Sequence, residues 1–151
     1  MPNWCYNRIT IYGDEKTEAK LKEIEEIFEK ADPFNQIFPI PDFKNIPNEK
    51  GELPKLEQHK NDKGDVVWET FNFPDGTNDD RWYSWCINNW GTKWDACDKY
   101  VDYEDDEILE LKFNTACSPH EGIVERLREN YPELTFQCFY DEPGCEIAGY
   151  Y

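Results

Sequence analysis

The stretch "EILELKFNTACSPHEGIVERLRENYP" (residues 107–132) changes its hydrophobic period from two to helical within about three residues. Leu109, Leu111, Phe113 and Thr115 alternate with Glu110, Lys112 and Asn114, the pattern of a strand with one buried face. Ile123, Val124, Leu127 and Tyr131 then recur at helical spacing. Ser118 is expected at the N-cap, Pro119 at the first helical position and Glu121 in a capping box, and Pro132 follows the exit. A strand that runs straight into an amphipathic helix must fold that helix back onto the face the strand buries. The chain is thereby committed to a layered α/β architecture.

The rest of the chain extends this pattern. "NRITIYG" turns Ile9 and Ile11 to one side and Arg8, Thr10 and Tyr12 to the other, and Gly13 ends the strand. Leu21, Ile24, Ile27, Phe28 and Ala31 form the apolar stripe of a helix that Pro33 is expected to stop. "DDRWYSWCINNWG" reads as a short helix, N-capped by Asp79 or Asp80 and ended by Gly91. "KWDACDKYVDYED" pairs with the following strand as a hairpin. "ELTFQCFYDEPGCEIAGYY" is two strands about a "DEPG" turn, with Leu134, Phe136, Cys138 and Tyr140 sharing a face. Residues 33–80 carry prolines at 33, 39, 41, 47, 54 and 74 and glycines at 51, 64 and 76. They are expected to form an insertion whose polar part, "NEKGELPKLEQHKNDKGD", is mobile.

Without the insertion and the final strand the order is βαββαβ. That is the ferredoxin-like (split βαβ) α+β fold: an antiparallel sheet with two main helices on one face, here with an added C-terminal strand, in a single domain of 151 residues. Many functions use this fold, so function must come from specific residues.

Charge narrows the choice. With 33 acidic against 16 basic residues the net charge is -17, a field that repels phosphate backbones. Direct nucleic-acid binding is therefore not expected, whereas a basic partner is. Aromatic residues make up 16% of the chain, enough for a core despite its hydrophilic average. No apolar run approaches a membrane span, and the opening lacks a basic region followed by an apolar run. The expectation is a cytoplasmic protein that does not enter the membrane.

Three residue groups carry candidate chemistry. Asp98, Asp102, Tyr103, Glu104, Asp105, Asp106 and Glu107 lie along the predicted hairpin, with Lys99 the one cation before Lys112. Asp141, Glu142 and Glu146 near the last turn are expected to back them. Such an anionic edge can stand in for spaced phosphates, with Tyr103 as a desolvated anchor; the alternative is a hydrated turn. In "NNWGTKWDACD", Trp90, Lys93, Trp94 and Asp95 could flank a small ligand. They could equally form a helix-to-strand corner with both tryptophans in the core and Asp95 accepting hydrogen bonds from a turn. Cys117, His120, Cys138 and Cys145 allow a zinc site only at an unrecognised spacing, so no metal or other cofactor is expected. His120 reads as an exposed first-turn residue and His59 as an inert loop residue. The phosphate-loop, dinucleotide and zinc-protease motifs are all absent, which argues against an enzyme.

Three motifs resemble a known family. "MPNWCYNRITIYG" is similar to the opening M-x-N-W-C-x-N-x-L-x-I-x-G of the YubB-like proteins of phages and plasmids, and "NNWGTKWDA" to that family's W-G-T-K-W-D/N. "NTACSPHEG" resembles its T-A-W-S-P-P strand-to-helix entry, with Cys117 in place of Trp and His120 in place of Pro. The resemblance implies a ferredoxin-like domain and a mobile-element origin, and it brings no catalytic residues. Charge and resemblance together predict a small non-catalytic inhibitor of a basic, nucleic-acid-handling host protein, such as a nuclease or a restriction or CRISPR complex, acting by nucleic-acid mimicry. An enzyme or ligand binder at the Trp90–Asp95 corner and a virion or assembly component are the alternatives. The sequence leaves the oligomeric state open.

Overall fold

The computed structural model describes residues 2–151, with the side chains of Tyr103 and Glu104 outside that description. The chain divides into two compact units, Met1–Pro39 with Cys86–Tyr151, and Ile40–Trp85.

The first unit is built on strands β1 (Trp4–Tyr12), β4 (Cys97–Asp105), β5 (Ile108–Ala116), β6 (Thr135–Glu142) and β7 (Ile147–Tyr150). They form one antiparallel sheet in the order β4-β5-β1-β6-β7. Helix α1 (Glu18–Glu29) packs on β4 and β5, and α4 (Glu121–Asn130) on β6. Removing β7 leaves the βαββαβ order read from the sequence. The two-residue alternation sets the inner face: Cys5, Asn7, Ile9 and Ile11 of β1 are buried beside Leu109, Leu111, Phe113 and Thr115 of β5. Leu21, Ile24 and Phe28 of α1 and Ile123, Val124 and Leu127 of α4 close over them.

Pro33 does not merely stop α1. The first helix ends at Glu29, Ala31 is exposed, and Pro33 occupies the first turn of a second short helix, α2 (Pro33–Ile37). Phe34 and Ile37 of that helix are core residues, with the Phe34 ring 5.7 Å from both Trp90 and Phe113. The independent segment therefore begins near Ile40, later than the expected boundary at residue 33.

The second unit holds a 3-10 turn at Phe43–Asn45 and the hairpin of β2 (Lys55–Lys60) and β3 (Val66–Asn72), so the polar stretch expected to be mobile contains a strand. The Asn61 side chain accepts from the amides of Lys63 and Asp65 at 3.0 Å each, and Gly64 supplies the left-handed turn residue at φ +83°. His59 is a strand residue stacked on Trp68, with ring centroids 3.5 Å apart. Arg81 organises the opposite end of this unit. Its guanidinium donates to both Asp79 oxygens at 2.8 and 3.0 Å and to the Phe43 carbonyl at 2.8 Å, and it lies over the Phe43 and Phe73 rings. Helix α3 (Arg81–Asn89) starts where Asp79 accepts from the Arg81 amide at 3.3 Å and ends at Gly91, φ +89°.

The start of α4 departs from the capping box. His120 holds the N-cap position without a side-chain cap bond, and Pro119 precedes the helix. Ser118 Oγ donates instead to the Gly91 carbonyl at 2.6 Å, and the Gly122 amide donates to the Trp90 carbonyl at 3.1 Å. A carbonyl leaving α3 does what the Ser118 hydroxyl was expected to do, so the hydroxyl is free to tie the corner together.

Candidate functional site

The β4–β5 hairpin places part of the acidic run where it was expected. Asp98, Asp102, Asp105, Asp106 and Glu107 are exposed, and the turn at its end is closed by the Glu107 amide donating to Asp105 Oδ1 at 2.7 Å. Among the described residues none of these carboxylates is in an ion pair. Lys99, the cation within the run, donates to the Lys30 carbonyl rather than to a neighbouring acid. The Tyr103 and Glu104 side chains lie outside the described residues.

The supposed backing group does not join them. Tyr12 pairs with Ile108 beside the hairpin turn, whereas Asp141 pairs with Tyr6 at the other end of β1. Six residues of strand, about 20 Å, separate the two ends. Asp141 is exposed there, together with Asp98 near the start of β4. Glu142 faces inward with 0% exposure, one oxygen accepting from the Cys145 amide at 3.0 Å. It cannot form part of an anionic surface. Its burial follows from the alternation that turns Phe136 and Cys138 inward, carried further along β6.

The Trp90–Asp95 corner is largely consumed by the fold. Trp90 is buried, and its indole N–H donates to the Phe38 carbonyl at 2.9 Å. Asp95 accepts from the amides of Phe34 (2.9 Å), Asn35 (3.1 Å) and Ala96 (2.8 Å), so it caps α2 from about 60 residues away in sequence. Burial pushes its carboxyl pKa up, and these three amides oppose that shift. Trp94 departs from the core expectation, being 39% exposed against Trp4 with the Lys93 ammonium 4.4 Å from its ring centre. Asp95→Ala should lower stability by about 1–2 kcal/mol through loss of the cap, while Lys93→Ala should stay within about 0.5 kcal/mol. Urea denaturation of both variants checks this pair.

His120 is not an exposed first-turn residue. It is 0% exposed, stacked on Phe34, with the Tyr151 hydroxyl 2.8 Å from Nδ1. The same hydroxyl lies 3.2 Å from Asn7 Oδ1, and Asn7 Nδ2 donates to Thr115 Oγ1 at 2.8 Å. Burial drives the imidazole pKa down to about 3, so the ring is neutral at ordinary pH. The four zinc candidates do not share one environment: His120 and Cys138 are buried, while Cys117 and Cys145 are exposed. Among the described residues no group of three His, Cys, Asp or Glu side chains is arranged to hold a metal. Desolvation pushes the thiols of Cys5, Cys86 and Cys138 up to about 11, which keeps them from being thiolate nucleophiles.

One constellation was missed from the sequence. The sheet face opposite the helices is uncovered. A single rung across all five strands reads Tyr100, Lys112, Arg8, Phe139, Tyr150 in register. Tyr100 is 62% and Tyr150 65% exposed, and Arg8 lies over the Phe139 ring at 5.2 Å. The next rung carries Asn114, Tyr6 and Asp141. Between these rungs lies a concavity of about 370 Å³, whose lining includes Tyr6, Arg8, Lys112, Asn114 and Phe139 and the carboxylates Asp98 and Asp141. The alternation of "NRITIYG" already assigned Arg8 and Tyr12 to the outer face. Only the register brings residues from five strands together.

The comparisons with known proteins bear on this architecture. A family model described as the ferredoxin-like domain in Api92-like protein matches residues 89–151, which span α4, the strands on either side of it and the Trp90–Asp95 corner. The crystal structure of a protein api92 from Yersinia pseudotuberculosis is similar over 99% of this chain and 93% of that one, with a TM-score of 0.53 at 11% identity. At that identity the likeness is one of fold. No curated protein matches the chain. No helix among the described residues is long and apolar enough to cross a membrane. The chain has a ferredoxin-like fold, and its C-terminal part is similar to the ferredoxin-like domain of Api92-like proteins.

Proposed function

We propose that this protein is a non-catalytic binding protein that engages a basic, nucleic-acid-handling protein through the carboxylates of its β4–β5 hairpin. The observation that carries this reading is the set Asp102, Asp105, Asp106 and Glu107, exposed at one end of a rigid sheet and without ion-pair partners among the described residues. Carboxylates gathered on one hairpin offer a basic groove a local concentration of negative charge. The net charge of -17 adds long-range attraction to such a groove and repels competing nucleic acid.

The resemblance of "MPNWCYNRITIYG" and "NNWGTKWDA" to the YubB-like proteins of phages and plasmids supports a mobile-element origin. A host nuclease or defence complex in the host cytoplasm is the target class this reading favours, with inhibition by occupying the nucleic-acid groove. Affinity capture from host lysate tests it, using the wild type beside a variant carrying Asp102→Asn, Asp105→Asn, Asp106→Asn and Glu107→Gln. The wild type should retain a basic nucleic-acid-binding protein at low salt and release it at about 0.5 M salt, where the screening length falls to a few ångströms. The variant should retain at least about tenfold less, consistent with loss of roughly 1.4 kcal/mol of binding energy. Equal retention by the two proteins would sink the reading.

A further inference from the structure

The five-stranded rung points to a second binding surface, separate in residues from the acidic hairpin turn. Arg8 and Lys112 sit directly opposite each other on neighbouring strands, an arrangement of like charges that costs stability. Lys112 offsets part of that cost through an ion pair with Glu110 at 3.1 Å. Arg8 has no ion pair among the described residues, although the chain holds 33 acidic side chains. Its guanidinium lies over Phe139 and borders the concavity. Arg8 forms no ion pair with Asp98 or Asp141, the two carboxylates that line the same concavity, so its guanidinium, beside a second cation, is placed to receive an anion from outside.

The surroundings restrict what that anion is attached to. Tyr100, Tyr6, Phe139 and Tyr150 present aromatic rings on both sides of the cation pair, and neighbouring strands are about 4.8 Å apart. Planar rings stack on such a platform, and an Arg guanidinium beside it accepts a phosphate through two N–H groups. The Asn114 amide, held by the Asp98 carboxylate at 3.1 Å, supplies a polar edge next to the rings. A concavity of about 370 Å³ falls at the small end of the range for ligand sites. Asp98 and Asp141 in its lining, and Asp102 one rung beyond, repel a long polyanion.

We infer that the open sheet face binds one nucleotide unit, with the base stacked against Tyr6 and Phe139 and a single phosphate held by Arg8 and Lys112. The unit is a free mononucleotide or one residue of a single strand. Both sources share this chemistry, and chain length separates them.

Backbone amide shifts of the isotope-labelled protein, followed by NMR during titration, test the inference. Adenosine 5′-monophosphate should shift resonances of β1, β5 and β6 around Arg8, Lys112 and Phe139 and leave the hairpin turn unchanged. Adenosine without the phosphate should bind about tenfold more weakly, and so should Arg8→Gln with the monophosphate. Tyr6→Ala, altering a side chain 50% exposed, removes one stacking ring without touching the core and should weaken binding by a similar factor. A ten-nucleotide oligoadenylate that binds no more tightly than the monophosphate identifies the free nucleotide as the source. Binding at least about a hundredfold tighter identifies a strand. Absence of shifts on this face with either probe overturns the inference. So does binding unchanged by Arg8→Gln while its spectrum stays folded, or a Lys/Arg-rich peptide that shifts the same residues when both nucleotide probes fail.

Discussion

Gly122→Ala should destabilise the first unit by about 3 kcal/mol or more, enough to leave it largely unfolded if the parent is only marginally stable. A methyl group at Gly122 would stand 1.7 Å from the Asn89 carbonyl oxygen and 2.7 Å from its carbon, with the Trp90 Cα at 3.2 Å. These are backbone atoms, and no rotamer change relieves the overlap. The first turn of α4 would have to move away from the end of α3. That motion breaks the Gly122 amide bond to the Trp90 carbonyl and strains the Ser118 bond to Gly91. Trp90 would then lose its seat against Phe34, and the core beneath the corner would open. Gly149→Ala is the matched control, since the nearest atom there is a Tyr140 ring carbon at 3.5 Å. It should change stability by less than about 1 kcal/mol in either direction. Urea midpoints of the two variants read the difference.

The second large effect is a dependence on acid. The His120 pKa is lowered from 6.5 to about 3 by burial, so the unfolded chain takes up a proton that the native ring refuses. Stability from this group is complete above about pH 6.5 and falls as pH drops, by about 1.4 kcal/mol per unit, until the native ring protonates near pH 3. Over that window the loss is of order 4–5 kcal/mol. Most carboxylates titrate below about pH 4.5, and Asp95, whose carboxyl burial pushes up, is common to wild type and variant, so the difference between the two profiles from pH 6.5 to 4.5 isolates the histidine. His120→Gln should flatten the stability profile across that interval, at the cost of a lower plateau. Its side chain offers the Tyr151 hydroxyl a hydrogen-bonding group but loses the stacking on Phe34. Wild-type and His120→Gln profiles that run parallel from pH 6.5 to 4.5 would contradict the neutral buried imidazole.

What the sequence made legible follows from range. Strands β1, β5 and β6 and helices α1 and α4 each carry their own period, and short turns fix which faces meet. The ferredoxin-like order came from these local signals. Helix α2 carried no such signal, because its cap is supplied by Asp95 from a different part of the chain. Ser118 misled for a similar reason: a carbonyl from Trp90 already serves the amide at the start of α4. The strand in the supposedly mobile loop lacked an apolar face to announce it, since most residues of β2 and β3 are exposed. Glu142 was legible and went unread, for it continues the buried face of Phe136 and Cys138.

The same division applies to the candidate sites. The acidic hairpin is contiguous in sequence and so visible in it, whereas the distance from its turn to Asp141 needs the β1 pairings. The aromatic and cationic rung is the extreme case, joining residues 8, 100, 112, 139 and 150 through four strand registers. Its residues looked like ordinary outward positions one strand at a time. Asp105, Asp106 and Glu107 lie at the hairpin turn, away from Arg8 and Lys112, so neutralising them leaves the concavity's own residues in place. Loss of partner capture after neutralising the hairpin and loss of nucleotide binding after Arg8→Gln are therefore independent outcomes.

The central claim is that the hairpin carboxylates occupy the place of phosphates in a partner's basic groove. Competition by duplex DNA measures this most directly. The host protein retained on the immobilised wild type at low salt is challenged with DNA at constant ionic strength, and the released fraction is recorded against DNA concentration. The account predicts that DNA elutes the captured protein to completion, because both ligands claim one groove. A captured protein that stays bound while it takes up DNA, forming a ternary complex, would contradict it.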